Sequence, residues 1–239
     1  MAYNPFRLKD EASAKKETAM IYPLTREAVF LARPNRFVAE VELEGRRETV
    51  HVKNTGRCRE LLLPGARVIL AAGEGHGRKT AWDLVTVQKP GLGWVNIDSQ
   101  APNRVVREWL EGGGIPGLTR IRPEYPYGAS RVDFCLERGE RRILLEVKGC
   151  TLERGGVGWF PDAPTLRGTK HLRELTAARR EGWACILAFV IALPGVGQVL
   201  PNRETDPAFA LALEEAETAG VEVLHLPCAV EPDSLEIRK

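Results

Sequence analysis

"SRVDFCLERGERRILLEVKGC", residues 130–150, reads as two short strands meeting at a tight reversal. Gly139-Glu140 is the natural two-residue turn, because a leading glycine suits a type II′ hairpin. That turn sets the register. Val132 faces Val147, Phe134 faces Leu145 and Leu136 faces Ile143, so one face is wholly apolar and meets a core. The opposite face pairs Glu137 with Arg142, Cys135 with Leu144 and Asp133 with Glu146, and Lys148 points the same way. A slip of one residue would scramble both faces.

The register brings two acids together. Like charges opposed across strands destabilise by roughly 0.2–1 kcal/mol at a wet surface, and burial raises the cost or forces a proton onto one acid. A divalent cation between the carboxylates reverses the sign. Mg²⁺ takes hard oxygen ligands and keeps several waters. A lysine beside it can help activate a water or steady charge on a phosphoryl group. Taken alone, the spacing also fits a solvated face on which Arg131 and Arg142 neutralise the acids.

The surroundings bound the protein's class. The chain has 239 residues, 44% hydrophobic and 28% charged, an ordinary globular composition with room for two domains. The longest apolar run, Ala184 to Leu193, is far short of a membrane span and suits a buried strand. The N-terminus lacks the apolar stretch of a secretory signal. Five cysteines without a CxxC pair predict reduced thiols in a cytoplasm. Charge is uneven. Residues 21–89 hold 12 Lys+Arg against 8 Asp+Glu, a balance of +4, and residues 90–239 hold 18 against 21, a balance of −3. A basic first half fits a polyanion-facing surface, or chance scatter.

Three segments are expected. Residues 1–20 have little apolar periodicity and read as an N-terminal arm. Residues 21–89 read as five strands with a short helix in "NTGRCRELLLPG" between the third and fourth, the plan of an OB-like β-barrel. The Gly/Pro-rich stretch "KPGLGWVNIDSQAP" marks the junction. In residues 90–239 Asn103 is expected to cap a helix, a strand and the hairpin follow, and Thr165 and Asp206 cap later helices around the strand "ACILAFVIAL". That order implies an α/β mixed sheet flanked by helices.

An Asp and an (E)xK on adjacent strands of such a sheet resemble the PD-(D/E)xK nuclease superfamily, although Arg131-Val132 stand where its proline would be. A closer resemblance is to the sugar fermentation stimulation protein A (SfsA) family. It is carried by "RPNRFVAEVEL", "VKNTGRCRELLLPGARV", "APNRVVREWL", "YPYGASRVDF", "LLEVKGCTL", "FPDAPTLRGTKHLREL" and "GVEVL", in order over about residues 33–225. It implies an OB-like domain, a PD-(D/E)xK nuclease-like domain, DNA binding and a historical role in regulating sugar-utilisation genes.

Carried over to this chain, the resemblance makes Asp133 and Glu146 the acids for Mg²⁺ or Mn²⁺, with the Val147 carbonyl as a further ligand and Lys148 as the catalytic lysine. Related nucleases add a glutamate from the first helix, for which Glu108 is chosen, with Glu111 as an alternative; Glu124 could face the site or pair with Arg122. They also place a polar residue from the later helix near the metal, for which Lys170 is chosen over His171; the alternative for Lys170 is a surface pair with Glu174. Asp162 is expected in a loop folding over the site. Arg33, Arg36, Lys53, Arg57 and Arg59 in the barrel, and Arg122, Arg131 and Arg167 beyond it, are the expected phosphate contacts. Phe37 and Trp82 are the nearby aromatics. Three functions stay open: a metal-dependent nuclease, a DNA-binding regulator that does not cut, or a nucleic-acid processing module that needs a partner. DNA, RNA or single strands are possible partners, no membrane is expected, and a homodimer stays open.

Overall fold

The computed structural model describes residues 19–54, 56–73, 75 and 77–238. Most of the expected arm, residues 1–18, lies outside the described residues. Its end is part of the fold. Strand β1 (Met20–Ile21) pairs with β16 (Ser234–Ile237), and Met20 is 1% exposed in the core.

The chain next builds a barrel from β2 (Thr25–Asn35), β3 (Val38–Leu43), β4 (Arg46–Val52), β5 (Arg67–Ala72) and β6 (Trp82–Lys89). The order is β4-β3-β2-β5-β6, and a parallel pairing of β4 with β6 at His51–Asp83 and Val52–Leu84 closes it. This is the expected OB plan. The sheet runs on into β7 (Gly93–Asn96), a hairpin partner of β6 placed in the stretch read as a junction. The helix expected in "NTGRCRELLLPG" is absent from the described residues there. Cys58 has a φ of +45°, outside the right-handed helical region, and only one turn forms, where the Cys58 carbonyl accepts from Leu61 and Leu62.

The second half is a seven-stranded mixed sheet in the order β1-β16-β15-β13-β10-β9-β8. Its strands are β8 (Arg120–Tyr127), β9 (Ser130–Arg138), β10 (Arg141–Cys150), β13 (Ala184–Ile191), β15 (Glu222–Glu231), β16 and β1. The centre, β10-β13-β15, is parallel, and both flanks are antiparallel. Helix α1 (Ala101–Glu111) covers one face, packing Val105 and Leu110 into the cluster that holds Phe134, Leu136, Ile143, Leu145 and Val147. Helices α2 (Leu166–Arg180) and α3 (Pro207–Thr218) cover the other, against Cys135, Leu144, Leu187 and Phe189. Both faces are therefore buried, as central strands of an α/β sheet require.

Two caps behave as expected. The Thr165 hydroxyl accepts from Gly168 N, and the Asp206 carboxylate from Phe209 N. Asn103 is not a cap. Gln100 stands there and Pro102 occupies the first turn, so Asn103 lies inside α1. The glycine-rich stretch before α2 hides a hairpin, β11 (Leu152–Arg154) and β12 (Val157–Phe160), reversing at Gly155-Gly156, and β14 (Val199–Pro201) from beyond β13 joins it in a small sheet. All five cysteines are free and buried.

Barrel and sheet share their cores. On β5 the inward residues Val68 and Leu70 belong to one cluster, while the outward Ile69 and Ala71 pack with Val190 and Ala192 of the second half. Polar ties reinforce the junction: Lys89 to Glu153 at 2.6 Å, and Asn96 N to the Ala192 carbonyl at 3.0 Å.

Candidate functional site

The hairpin register follows the turn from Arg141–Arg138 to Leu145–Phe134 and stops there. The expected facing pairs Asp133–Glu146 and Val132–Val147 lie past its end. The strands part, and the Asp133 side chain replaces the ladder: its Oδ2 accepts from Val147 N at 2.7 Å. Its Oδ1 accepts from Asn103 Nδ2 at 2.7 Å. Asn103 gets there because α1 lies close on β10 at Gly149, where a Cβ would come within 2.7 Å of the Pro102 ring. The residue α1 brings to the acids is thus Asn103. Glu108 sits elsewhere on the helix, 3.4 Å from Arg104 and near Glu236, and Glu111 pairs with Arg107 at the surface.

Glu146 is 2% exposed. Its Oε1 receives Lys148 Nζ at 2.5 Å and also meets His171 Nδ1. Its Oε2 is buried without a hydrogen-bond partner. His171 is itself buried, and its Nε2 lies 3.4 Å from the Nε of Arg167, which donates to it. That leaves Nδ1 as the protonated nitrogen, donating to Glu146.

The two acids differ electrostatically. Burial, and then the charge of Glu146, push the Asp133 carboxyl above the usual range, against the opposing bonds from Val147 and Asn103 and the charge of Lys148. For Glu146 burial also pushes upward, but the bond from His171 and the nearby ammonium of Lys148 outweigh it, and the carboxyl is held low. At neutral pH this leaves a buried anion with one bare oxygen beside a second acid.

Lys170, chosen from the sequence over His171, is exposed and 3.6 Å from Glu174, which also accepts from Ser130 Oγ at 2.6 Å. One helical position decides this: residue 171 faces the sheet and residue 170 faces solvent. Buried polar neighbours of Leu172 and Leu175 were the available signal. Glu124 is exposed and has a left-handed φ of +50°, and Arg122 pairs with Glu137 at 2.7 Å instead. Asp162 lines a cavity together with Asn103 and Val147. Its Oδ2 accepts from Arg57 N at 3.0 Å and Cys58 N at 3.4 Å, tying its loop to the barrel.

The expected phosphate contacts divide. Arg33 gives its guanidinium to four carbonyls, those of Arg36, Asn54, Gly56 and Arg57, and is a structural clamp. Lys53 is half-buried on Asp98 at 3.1 Å, and Arg122 is paired as above. Arg36, Arg57, Arg59, Arg131 and Arg167 are exposed. The Arg36 guanidinium lies 4.7 Å over the exposed Phe37 ring. Trp82 is half-buried against the core.

Comparison with known proteins agrees with this architecture. Residues 31–97 match the SfsA N-terminal OB domain, and residues 100–234 match the sugar fermentation stimulation protein RE domain. A sugar fermentation stimulation protein homolog of Desulfitobacterium hafniense is 50% identical over 217 residues, covering 91% of this chain and 95% of that protein. A homolog of Ruminiclostridium cellulolyticum is 44% identical, covering 92% and 97%. The solved structure of Pyrococcus furiosus SfsA in complex with Ca²⁺ has a TM-score of 0.84 at 31% identity, covering 92% of this chain and 95% of that one. With both halves matched in sequence order and relatives aligned over nearly the whole length, the chain belongs to the sugar fermentation stimulation protein (SfsA) family.

Proposed function

We propose that this chain binds nucleic acid and hydrolyses phosphodiesters at a divalent-metal site on β9 and β10. The bare Oε2 of Glu146 carries the reading. A buried, unpaired carboxylate oxygen costs on the order of 1–3 kcal/mol, and it lies in a pair of acids whose mutual repulsion is already felt at Asp133. A hard cation removes both penalties.

The donor set fits such an ion. Among the described residues no group of three or more His, Cys, Asp or Glu side chains is disposed to hold a metal. Asp133, Glu146 and the Val147 carbonyl, completed by water, are the few-carboxylate set that Mg²⁺ or Mn²⁺ accepts. The P. furiosus relative was solved with Ca²⁺, another oxygen-seeking dication. When bound, the ion would lower the pKa of a coordinated water and offset phosphoryl charge.

The chain's own groups have separate tasks. The Asn103 amide and Val147 N–H fix Asp133, and His171 fixes Glu146 while Arg167 holds the far side of its ring. Lys148 keeps an ammonium beside the acids for the developing charge. The exposed Arg57, Arg59, Arg131 and Arg167 supply sequence-independent phosphate contacts.

The test incubates the full chain with Mg²⁺ or Mn²⁺ and DNA and RNA in single- and double-stranded forms, beside Asp133→Ala. Cutting by the unmodified chain alone is expected. Cutting that survives the substitution overturns the site. Salt-sensitive binding with no cutting of any form assigns the chain to non-hydrolytic regulation instead.

A further inference from the structure

Between the barrel and the C-terminal sheet lies a cavity of about 300 Å³. Its walls include Asn54 and Asn96 from the barrel half, Asn103 from α1, Val147 from β10, and Phe160 and Ala163 before α2. Asn103 and Val147 are the two residues whose N–H groups hold Asp133, so the cavity lies one side chain away from that carboxylate, which does not itself line it.

Its chemistry is polar and, on balance, anionic. Among the described residues lining it there is no lysine or arginine. Its two acids are occupied, Asp98 by Lys53 and Tyr22, and Asp162 by two backbone amides of the barrel. Asn96 is 1% exposed and spends its amide on Tyr22 and Asp98. The half-buried Asn54 uses one amide hydrogen and one oxygen lone pair on the framework and keeps a second donor and a second acceptor. Amide edges beside the half-buried Phe160 ring suit the hydrogen-bonding edge and flat face of a nucleobase, and do not neutralise a phosphate.

Cations begin where the cavity ends. Asp162 and Pro164 also line an adjoining depression that contains Arg57, Arg59 and Arg154. Arg154 is paired with Glu204, while Arg57 and Arg59 are exposed. Amides inside and guanidinium groups at the mouth follow the order of base and phosphate in a strand. The junction is also firmly built: a Cβ at Gly56 would come within 2.7 Å of Asp162 Oδ2. The volume lies at the bottom of the roughly 300–1,000 Å³ range of small-ligand pockets, enough for one base and sugar.

We infer that this cavity receives one unpaired nucleotide, its base between Asn54 and Phe160 and its flanking phosphates on Arg57 and Arg59. The inference rests on the phosphodiesterase reading and names the substrate class of that site: a strand with an unpaired nucleotide beside the cut, not continuous duplex.

The probe is 2-aminopurine, whose emission is quenched by stacking on neighbouring bases, placed in a single strand, in continuous duplex, and unpaired in an otherwise paired duplex. Binding to the full chain is followed in EDTA, so cleavage plays no part. The two unpaired forms are expected to bind at least about tenfold more tightly than continuous duplex, with rising emission. Ala163→Trp, which fills the cavity from its loop, should abolish the rise and cost about tenfold in affinity. Arg57→Ala with Arg59→Ala, on the surface, should weaken single-strand binding and lower its salt slope by about 1.4. Equal affinity for continuous duplex, or unchanged emission from a folded Ala163→Trp, overturns the cavity. An emission rise without cutting in Mn²⁺ sinks the phosphodiesterase reading and leaves the cavity standing. Cutting without the rise does the reverse.

Discussion

Arg33 in the barrel and Glu146 in the C-terminal sheet are both charged residues drawn inside a β-structure, and they end differently. Arg33 spends its four terminal hydrogen bonds on carbonyls of the 36 and 54–57 turns. Glu146 shares one oxygen between Lys148 and His171 and leaves the other bare. Arg33 is half-buried and meets every bond but that of its Nε, so it belongs to the scaffold. Glu146 is fully buried, and its open oxygen lies beside a second acid, where one ligand can satisfy both. Residue type could not separate the two, since arginine is as natural at a phosphate as at a turn.

The contrast can be broken from either side. The largest effect is expected at the open charge: Glu146→Ala should abolish metal-dependent cleavage, and Lys148→Ala should slow it by about 100-fold or more, measured in single turnover. Arg33→Ala should do the opposite, costing about 3 kcal/mol in denaturant unfolding as the 54–57 turn loses its clamp, while the folded fraction still cuts. His171→Leu should weaken Mn²⁺ binding by about 10–100-fold in calorimetry, and His171→Asn, which keeps a donor near Nδ1, should recover much of it.

A smaller effect concerns pH. Glu153 is held below the usual carboxylate range by Lys89 and by the amide of Gly156. Its stabilisation is therefore present above the ordinary glutamate pKa and is lost as pH falls through the depressed one. Melting temperature should drop more steeply between about pH 5 and 3 in the wild type than in Glu153→Gln. The smallest effect is expected at Lys170→Ala, a change within about 0.5 kcal/mol and full activity, because its pair with Glu174 is solvated.

Local rules carried far along this chain. A two-residue turn at Gly139-Glu140 predicted the hairpin register through Leu145–Phe134, and alternation in "FVAEVELEGRRETVHV" predicted the β3–β4 pair. Thr165 and Asp206 capped the helices they were expected to cap. These outcomes depend on neighbours a few residues apart. Failures arose where distant segments meet. Met20 looked like part of an arm because its partner, Leu235, lies at the other end of the chain. The 58–63 segment has helical composition, but a left-handed Cys58 breaks it while Asp162 anchors the turn.

The same division runs through the site. Sequence alone determined that a barrel precedes a helix-flanked mixed sheet and put Asp133, Glu146 and Lys148 on adjoining strands, because strand periodicity and turn chemistry are local. Only tertiary structure decided which groups surround them. The parting of β9 and β10 turned Asp133 onto Val147 N, the close approach at Gly149 delivered Asn103 in place of Glu108, and the seating of α2 buried His171 and left Lys170 in water. Those choices follow from how helices pack on a sheet, where shifting one residue along a helix turns a side chain by about 100° from core to solvent.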